Sequence, residues 1–299
     1  MLTLHPITYI RKVYLKMTKK VFAIIISILL PVLAWGQAQI NTKKVKLGDF
    51  TQKVTKVVLS GNEFMDSAFK DEVTAGWRIS PYEFCTMEEF ERMKTSEDYY
   101  FLLITKGQFK KDSGPTIQFL TLVKGGSGAV DGIDGMLEVV SMPIAAAQFP
   151  SGREIVYLPA FLNIIQGYTL DSMEKDTNAY GGLGNYSGNI MHSKDFRIVL
   201  SREDLAVSQD FLDENAGMFE EDMSIADVED VDALMKDNAP GTIVSYVVAP
   251  FEPQPGAYCY KMLIDTQTHK LYYYKRHRIS AKAGAGFLKD DLKRINVIR

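Results

Sequence analysis

The stretch NYSGNIMH, Asn185 to His192, sets Ser187 five residues before His192. That pairing suggests acyl-transfer chemistry, in which an imidazole takes the proton of an attacking hydroxyl and an acidic group orients the imidazole. The flanking residues are not G-x-S-x-G, and no strand-then-helix pattern surrounds them. KGGSGAV around Ser127 has the same shortcomings. Ser187 and His192 are the catalytic candidates of a hydrolase reading, and a plain surface loop is the competing one.

Metal chemistry has less to work with. Past the first forty residues the histidines are His192, His269 and His277, with no HExxH or H-x-H pair. His269 and His277 flank one predicted strand, which separates them by roughly 26 Å when extended. Zinc needs its ligands converging at about 2 Å, so no metal site is expected. Asp131 and Asp134 in VDGIDG lack calcium-loop spacing. The acidic run from Glu220 through Glu221, Asp222, Asp227, Glu229, Asp230 and Asp232 reads as a solvated helix face. Gly182, Gly184 and Gly188 make a G-x-G-x-x-x-G, one residue longer than the dinucleotide fingerprint, and no Walker lysine is present. No cofactor is expected.

The most suggestive surface feature is YYYKRHR, Tyr272–Arg278. Strand periodicity of two places Tyr272, Tyr274, Arg276 and Arg278 on one face. Aromatic rings beside guanidinium groups suit a protein, glycan or anion contact. The competing reading packs the tyrosine bodies on a helix and leaves the charges in solvent.

These residues must be positioned by elements, and the elements alternate. VTKVVLS reads as a strand at 54–59. Ser60 with Glu63 has capping-box spacing, and Met65, Phe69 and Val73 give a helix its apolar face, with Gly76 as a left-handed stop. WRISPYEF (77–84) reads as an edge strand because of Pro81. Thr86 with Glu89 opens a second helix faced by Met87, Phe90 and Met93. YYFLLIT and TIQFLTLV then form a hairpin across KDSG. A glycine-rich loop follows, then a helix from near Pro159 carrying Phe161, Leu162, Ile165 and Tyr168. Later come a strand at 196–200, the strand–helix MSIADVEDVDALMKD, three strands (TIVSYVVAP, AYCYKMLID, KLYYYKRHRIS) and a closing helix with Leu288, Leu292 and Ile295.

The segments RISPYEFCTMEEFERMKTSEDYYFLLIT and MSIADVEDVDALMKDNAPGTIVSYVVAP share a strand–helix–strand type, each helix ending in Met-Lys. The expected fold is α+β, with two related α/β units, each a mixed or antiparallel sheet with helices on one face. The units span 37–150 and 191–299, joined by a helix and flexible connection at 151–190.

Residues 1–36 read as an address. The apolar block Val21–Leu33 is short of the roughly 20 residues that span a bilayer. Lys19 and Lys20 precede it, and Ala34-Trp35-Gly36 offers small residues for cleavage before Gln37, with a second site after Ala38. Met17 reads as the true start of translation. No cysteine near the cut would carry a lipid, so no transmembrane or lipid anchor is expected after cleavage, and the location is periplasmic or secreted.

Losing Arg11, Lys12, Lys16, Lys19 and Lys20, with no acidic residue among the first 36, takes the formal charge from −3 to −8. That balance excludes nucleic acid as a partner. The two cysteines, Cys85 and Cys259, read as separate half-buried thiols, with a disulfide as the alternative.

The segments VTKVVLS, NEFMDSAFKDEV, WRISPYEF, TMEEFERM and YYFLLITKG together resemble the small α/β domain shared by the curli-secretion lipoprotein family and the N-terminal domain of the Tol-system periplasmic protein. The resemblance covers about Val54–Gly125. It implies envelope assembly or protein contact without catalysis. The combined expectation is an exported, non-enzymatic envelope binding or assembly protein, its partner another envelope protein or a glycan. The alternatives are a hydrolase of an envelope or dietary polymer and a small-ligand carrier.

Overall fold

Four of the five residues in Val54–Val58 are β-branched, which favours pleated over helical backbone. Val57 and Val58 point to opposite faces, yet both are buried, so the sheet they enter is covered on both sides. In the computed structural model, which describes residues 47–107, 116–174, 182–220 and 222–298, this strand (β1) is the second in a five-stranded sheet. It pairs in parallel with β2 (Tyr82–Cys85) and β3 (Tyr99–Gly107). Antiparallel pairing then continues from β3 to β4 (Ile117–Lys124) and β5 (Leu137–Ala146), giving the order 2-1-3-4-5. The address segment and the KDSG turn lie outside the described residues. Among those described, no helix is long and apolar enough to cross a membrane.

The second half repeats this plan. β6 (Arg197–Ser201) pairs in parallel with β7 (Met223–Ala226) and β8 (Thr242–Val248), and β8, β9 (Tyr258–Asp265) and β10 (Leu271–Arg278) run antiparallel. The order 7-6-8-9-10 matches the first sheet strand for strand. The fold is α+β with two mixed sheets of the same connectivity.

The helices do not keep to one face as expected, and the strand order is the reason. The path goes outward from β1 to β2, then back across β1 to β3. Right-handed crossovers in opposite directions put their helices on opposite faces. Phe69 and Val73 of α1 (Glu63–Gly76) pack with Val57, Tyr100 and Leu102 in the central core, whereas Phe90 of α2 (Met87–Met93) packs with Val58, Phe101 and Leu103 outside. After β5, α3 (Arg153–Val156) and α4 (Leu158–Glu174) return to the central core through Tyr157, Phe161 and Ile165.

In the second half the same rule separates α5 (Gln209–Glu214) from α6 (Val228–Lys236). Phe211 of α5 joins Leu292 and Ile295 of α7 (Lys289–Ile298) against Ile198, Leu200 and Leu263 on the outer face. Val231 and Met235 of α6 face Val199, Val244 and Tyr246 in the central core. The first half therefore turns its α1 face inward, and the second turns the face opposite to the equivalent one.

Local signals were obeyed unevenly. Thr86 and Glu89 form the reciprocal capping box. At α1 the cap is Asn62, whose side chain accepts from the Phe64 and Met65 amides. Ser60 instead donates its amide and hydroxyl to Asp66, each at 2.8 Å. Gly76 ends α1 in ordinary helical backbone, and Trp77, buried to 2%, leaves it in an extended conformation. Of the predicted 77–84 strand only Tyr82–Phe84 pair, with Cys85 added, on the sheet edge where Pro81 allows it. The glycine run after β4 serves close backbone crossing. A Cβ on Gly128 would stand 2.2 Å from the Gly135 carbonyl, so these residues cradle each other.

Candidate functional site

The arginine–tyrosine strand is rearranged by one irregularity. Leu271 pairs with Ile264 and Tyr273 with Leu263, leaving Tyr272 as an extra residue in β10. A bulge flips the face of what precedes it. Tyr272 consequently packs on the outer side against Phe196 at 5.3 Å, while Tyr274 goes to the central core near Tyr260. The four residues expected on one face are split, and only Tyr274, Arg276 and Arg278 keep a common side.

What reaches solvent is a smaller constellation. Arg276 and Arg278 are both exposed, and their guanidinium carbons lie 5.1 and 4.8 Å from the ring centre of Tyr258 on β9. Two guanidiniums two residues apart, steadied on one ring, present planar forks of donors suited to a carboxylate, sulfate or phosphate. Arg278 also reaches the Gly256 carbonyl at 3.5 Å. Tyr258 is the member the sequence does not announce, because its register opposite Arg278 follows from a hairpin.

Ser187 has another task. Its hydroxyl donates to the Tyr274 carbonyl and accepts from the Tyr274 amide at 3.2 Å. Two residues on, Asn189 donates to the Leu271 carbonyl at 2.9 Å. β10 is an edge strand, and an open edge invites pairing with another chain. The 3-10 segment Gly182–His192 closes it with side chains that imitate a neighbouring strand. No hydrogen bond among the described residues joins Ser187 to His192. Ser187→Ala is expected to cost about 1 kcal/mol in urea unfolding, with no activity lost in any hydrolase assay. Loss of a hydrolytic activity in that variant would reverse this assignment.

His192 instead borders a pocket of about 750 Å³. One wall is the middle of α4, another is the Gly182–His192 segment, and the third is the β9–β10 turn. Gly167, exposed on α4, is among the lining residues, with no heavy atom within 4 Å of where a Cβ would stand. His269 closes the turn with left-handed backbone, φ 56°. Its Nδ1 meets the Asn163 amide nitrogen at 2.7 Å, which leaves the hydrogen on Nε2. Burial lowers the His269 pKa, partly opposed by Asp265. On the far wall the Tyr186 hydroxyl donates to Asp171 at 2.7 Å.

Two buried polar clusters complete the inventory, and both are structural. Asp291 of α7 receives Lys261, the Tyr273 hydroxyl at 2.8 Å, Lys275 at 2.8 Å and the Leu288 amide at 3.0 Å. Burial works against its charge, but the two ammonium groups prevail and hold its pKa at about 2. Arg153 of α3 spans Asp232 on α6 and Asp204 beyond β6, at 3.0 and 3.1 Å. Asp232 thus leaves the otherwise solvated acidic face that the sequence suggests.

Cys85 and Cys259 are unpaired and buried. Burial pushes both thiols up to about 11, so neither ionises near neutrality. Among the described residues no group of three His, Cys, Asp or Glu side chains converges as metal ligands would. No family model, curated protein or solved structure matches the chain.

Proposed function

We propose that this is an exported, non-enzymatic binding protein of the cell envelope, which engages an acidic group on another envelope protein or glycan through Arg276 and Arg278. The observation that carries the reading is the exposed guanidinium pair seated on Tyr258. The commitment of Ser187 to Tyr274 and the silent thiols support a role without covalent catalysis. The hydrolase alternative requires Ser187 to release its strand and meet His192.

A photo-crosslinking residue at exposed Ser280, two residues past Arg278, introduced in the native host, tests the contact. The expected result is one dominant adduct, reduced severalfold when Arg276 and Arg278 are changed to Ala, and absent from a control at exposed Lys70. Equal labelling at both positions would overturn the assignment. The same material gives the mature N-terminus by mass spectrometry, expected at Gln37 or Gln39. A peptide containing Tyr9–Arg11 would refute Met17 as the start of translation.

A further inference from the structure

The pocket beneath His192 stands apart from the arginine face and offers a different chemistry. One lining residue, Gly167, stands in the middle of α4. A glycine in the middle of a helix costs about 1 kcal/mol relative to alanine, and such glycines usually allow something to approach closely. Nothing approaches Gly167. Gly167 is exposed on the side of α4 that lines the pocket, so the helix backbone itself is open to a ligand there.

The walls have mixed polarity with fixed roles. Asp171, held by Tyr186, is an acceptor. His269, held by Asn163 through Nδ1, offers a donor at Nε2. Asn163 and His192 supply groups of either kind. The Tyr186 ring is itself steadied edge-on by Tyr168, at 6.4 Å. A ligand that satisfies such a wall must donate and accept from neighbouring atoms while laying an apolar flank on a ring or on bare helix backbone.

Sugar rings do this. Each hydroxyl both donates and accepts, and the C–H face of the ring is apolar. The volume lies within the range of small-molecule sites. A phosphate-rich ligand fits poorly, since Lys270 is the lone lysine or arginine on the lining and Asp171 opposes it. We propose that this pocket is a saccharide-binding site that takes one or two sugar units.

The intact protein is titrated calorimetrically with N-acetylglucosamine, cellobiose, maltose and galacturonate. At least one is expected to bind saturably. Affinity should fall at least tenfold in Gly167→Phe, which projects a ring from the α4 wall into the pocket, and in Asp171→Asn, which weakens the acceptor. It should persist in Gly167→Ala and Arg276→Ala. Thermal melting identifies any variant that fails to fold, and Asp171→Asn then carries the test. Absence of saturable binding across the panel overturns the proposal. So does binding that survives both pocket changes. Because Arg276→Ala leaves the pocket untouched, failure here and failure of the arginine-face contact are read separately.

Gly167→Ala carries its own expectation. With open space at the Cβ position, the substitution should stabilise the protein by about 0.5–1 kcal/mol, seen as a raised urea midpoint at constant slope.

Discussion

Asp291→Ala is expected to destabilise the protein by about 3–5 kcal/mol, the usual cost of leaving a buried charge without its partner. Lys261 is fully buried, and Asp291 is its only ionic partner among the described residues. Directly across the hairpin stands Lys275, a like charge that the same carboxylate also neutralises. Lys275 is partly exposed and can swing into water, whereas Lys261 has no such route. The double variant Lys261→Met with Asp291→Leu should recover most of the loss, because it removes both desolvation penalties together. Chemical unfolding of the three proteins decides the matter. A double variant as unstable as Asp291→Ala would mean that packing of α7, and not charge, sets the cost.

The pH dependence follows with a definite sign. The folded pKa of Asp291, about 2, lies below the ordinary 3.8. Its stabilisation, about 2 kcal/mol at 1.36 kcal/mol per pKa unit, is present above pH 4 and lost as pH falls toward 2. The gap between wild type and Asp291→Ala should narrow over that interval.

Arg153→Met should also cost about 3–5 kcal/mol near neutrality, and this deficit too should shrink as pH falls, by a different route. Its guanidinium lies over the Tyr157 and Tyr246 rings, at 5.6 and 4.9 Å, and holds Asp204 and Asp232. Burial pushes both carboxyls above their usual range even with Arg153 opposing it. A carboxyl with a raised folded pKa binds protons more readily folded than unfolded, so stability increases as pH falls through that raised value. Removing Arg153 raises it further. The deficit of Arg153→Met is therefore largest at pH 7 and smaller at pH 5, and equal deficits would argue against a charge origin. Arg153→Lys should rescue only part, since an ammonium lacks the planar fork that reaches two carboxylates from one side chain.

How much was legible in the sequence depends on how far each cause extends along the chain. YYFLLIT and TIVSYVV announce central strands because burial on both faces needs apolar residues at successive positions. The Thr86 box is legible because both partners lie within one turn. Ser60 misleads for the same reason: it has the right spacing to Glu63, but Asn62 caps better and Asp66 takes the serine hydroxyl. The strand Leu137–Ala146 was missed, since Pro143 reads as a breaker unless the strand is known to lie on an edge. α3 and α5 are too short to show a period.

The candidate sites were less legible than the fold. One unpaired residue at Tyr272 redistributes the YYYKRHR face, and a bulge has no signature in composition. The pocket joins Gly167 to a turn about a hundred residues later. Its single local clue is a glycine inside an otherwise regular helical pattern. Ser187, a candidate nucleophile in the sequence, hydrogen-bonds the β10 edge at Tyr274, and a hydroxyl suits either role equally well.

The inward faces of the two halves are not equivalent, and this has a consequence in symmetry terms. Two like units joined through matching faces form a closed, isologous pair with nothing left over. Here one unit offers its α1 side and the other its α6 side, so the contact is heterologous. Such a contact does not close on itself. The stack keeps two unlike ends, one under α2 and one under α5 and α7, and so has a fixed direction.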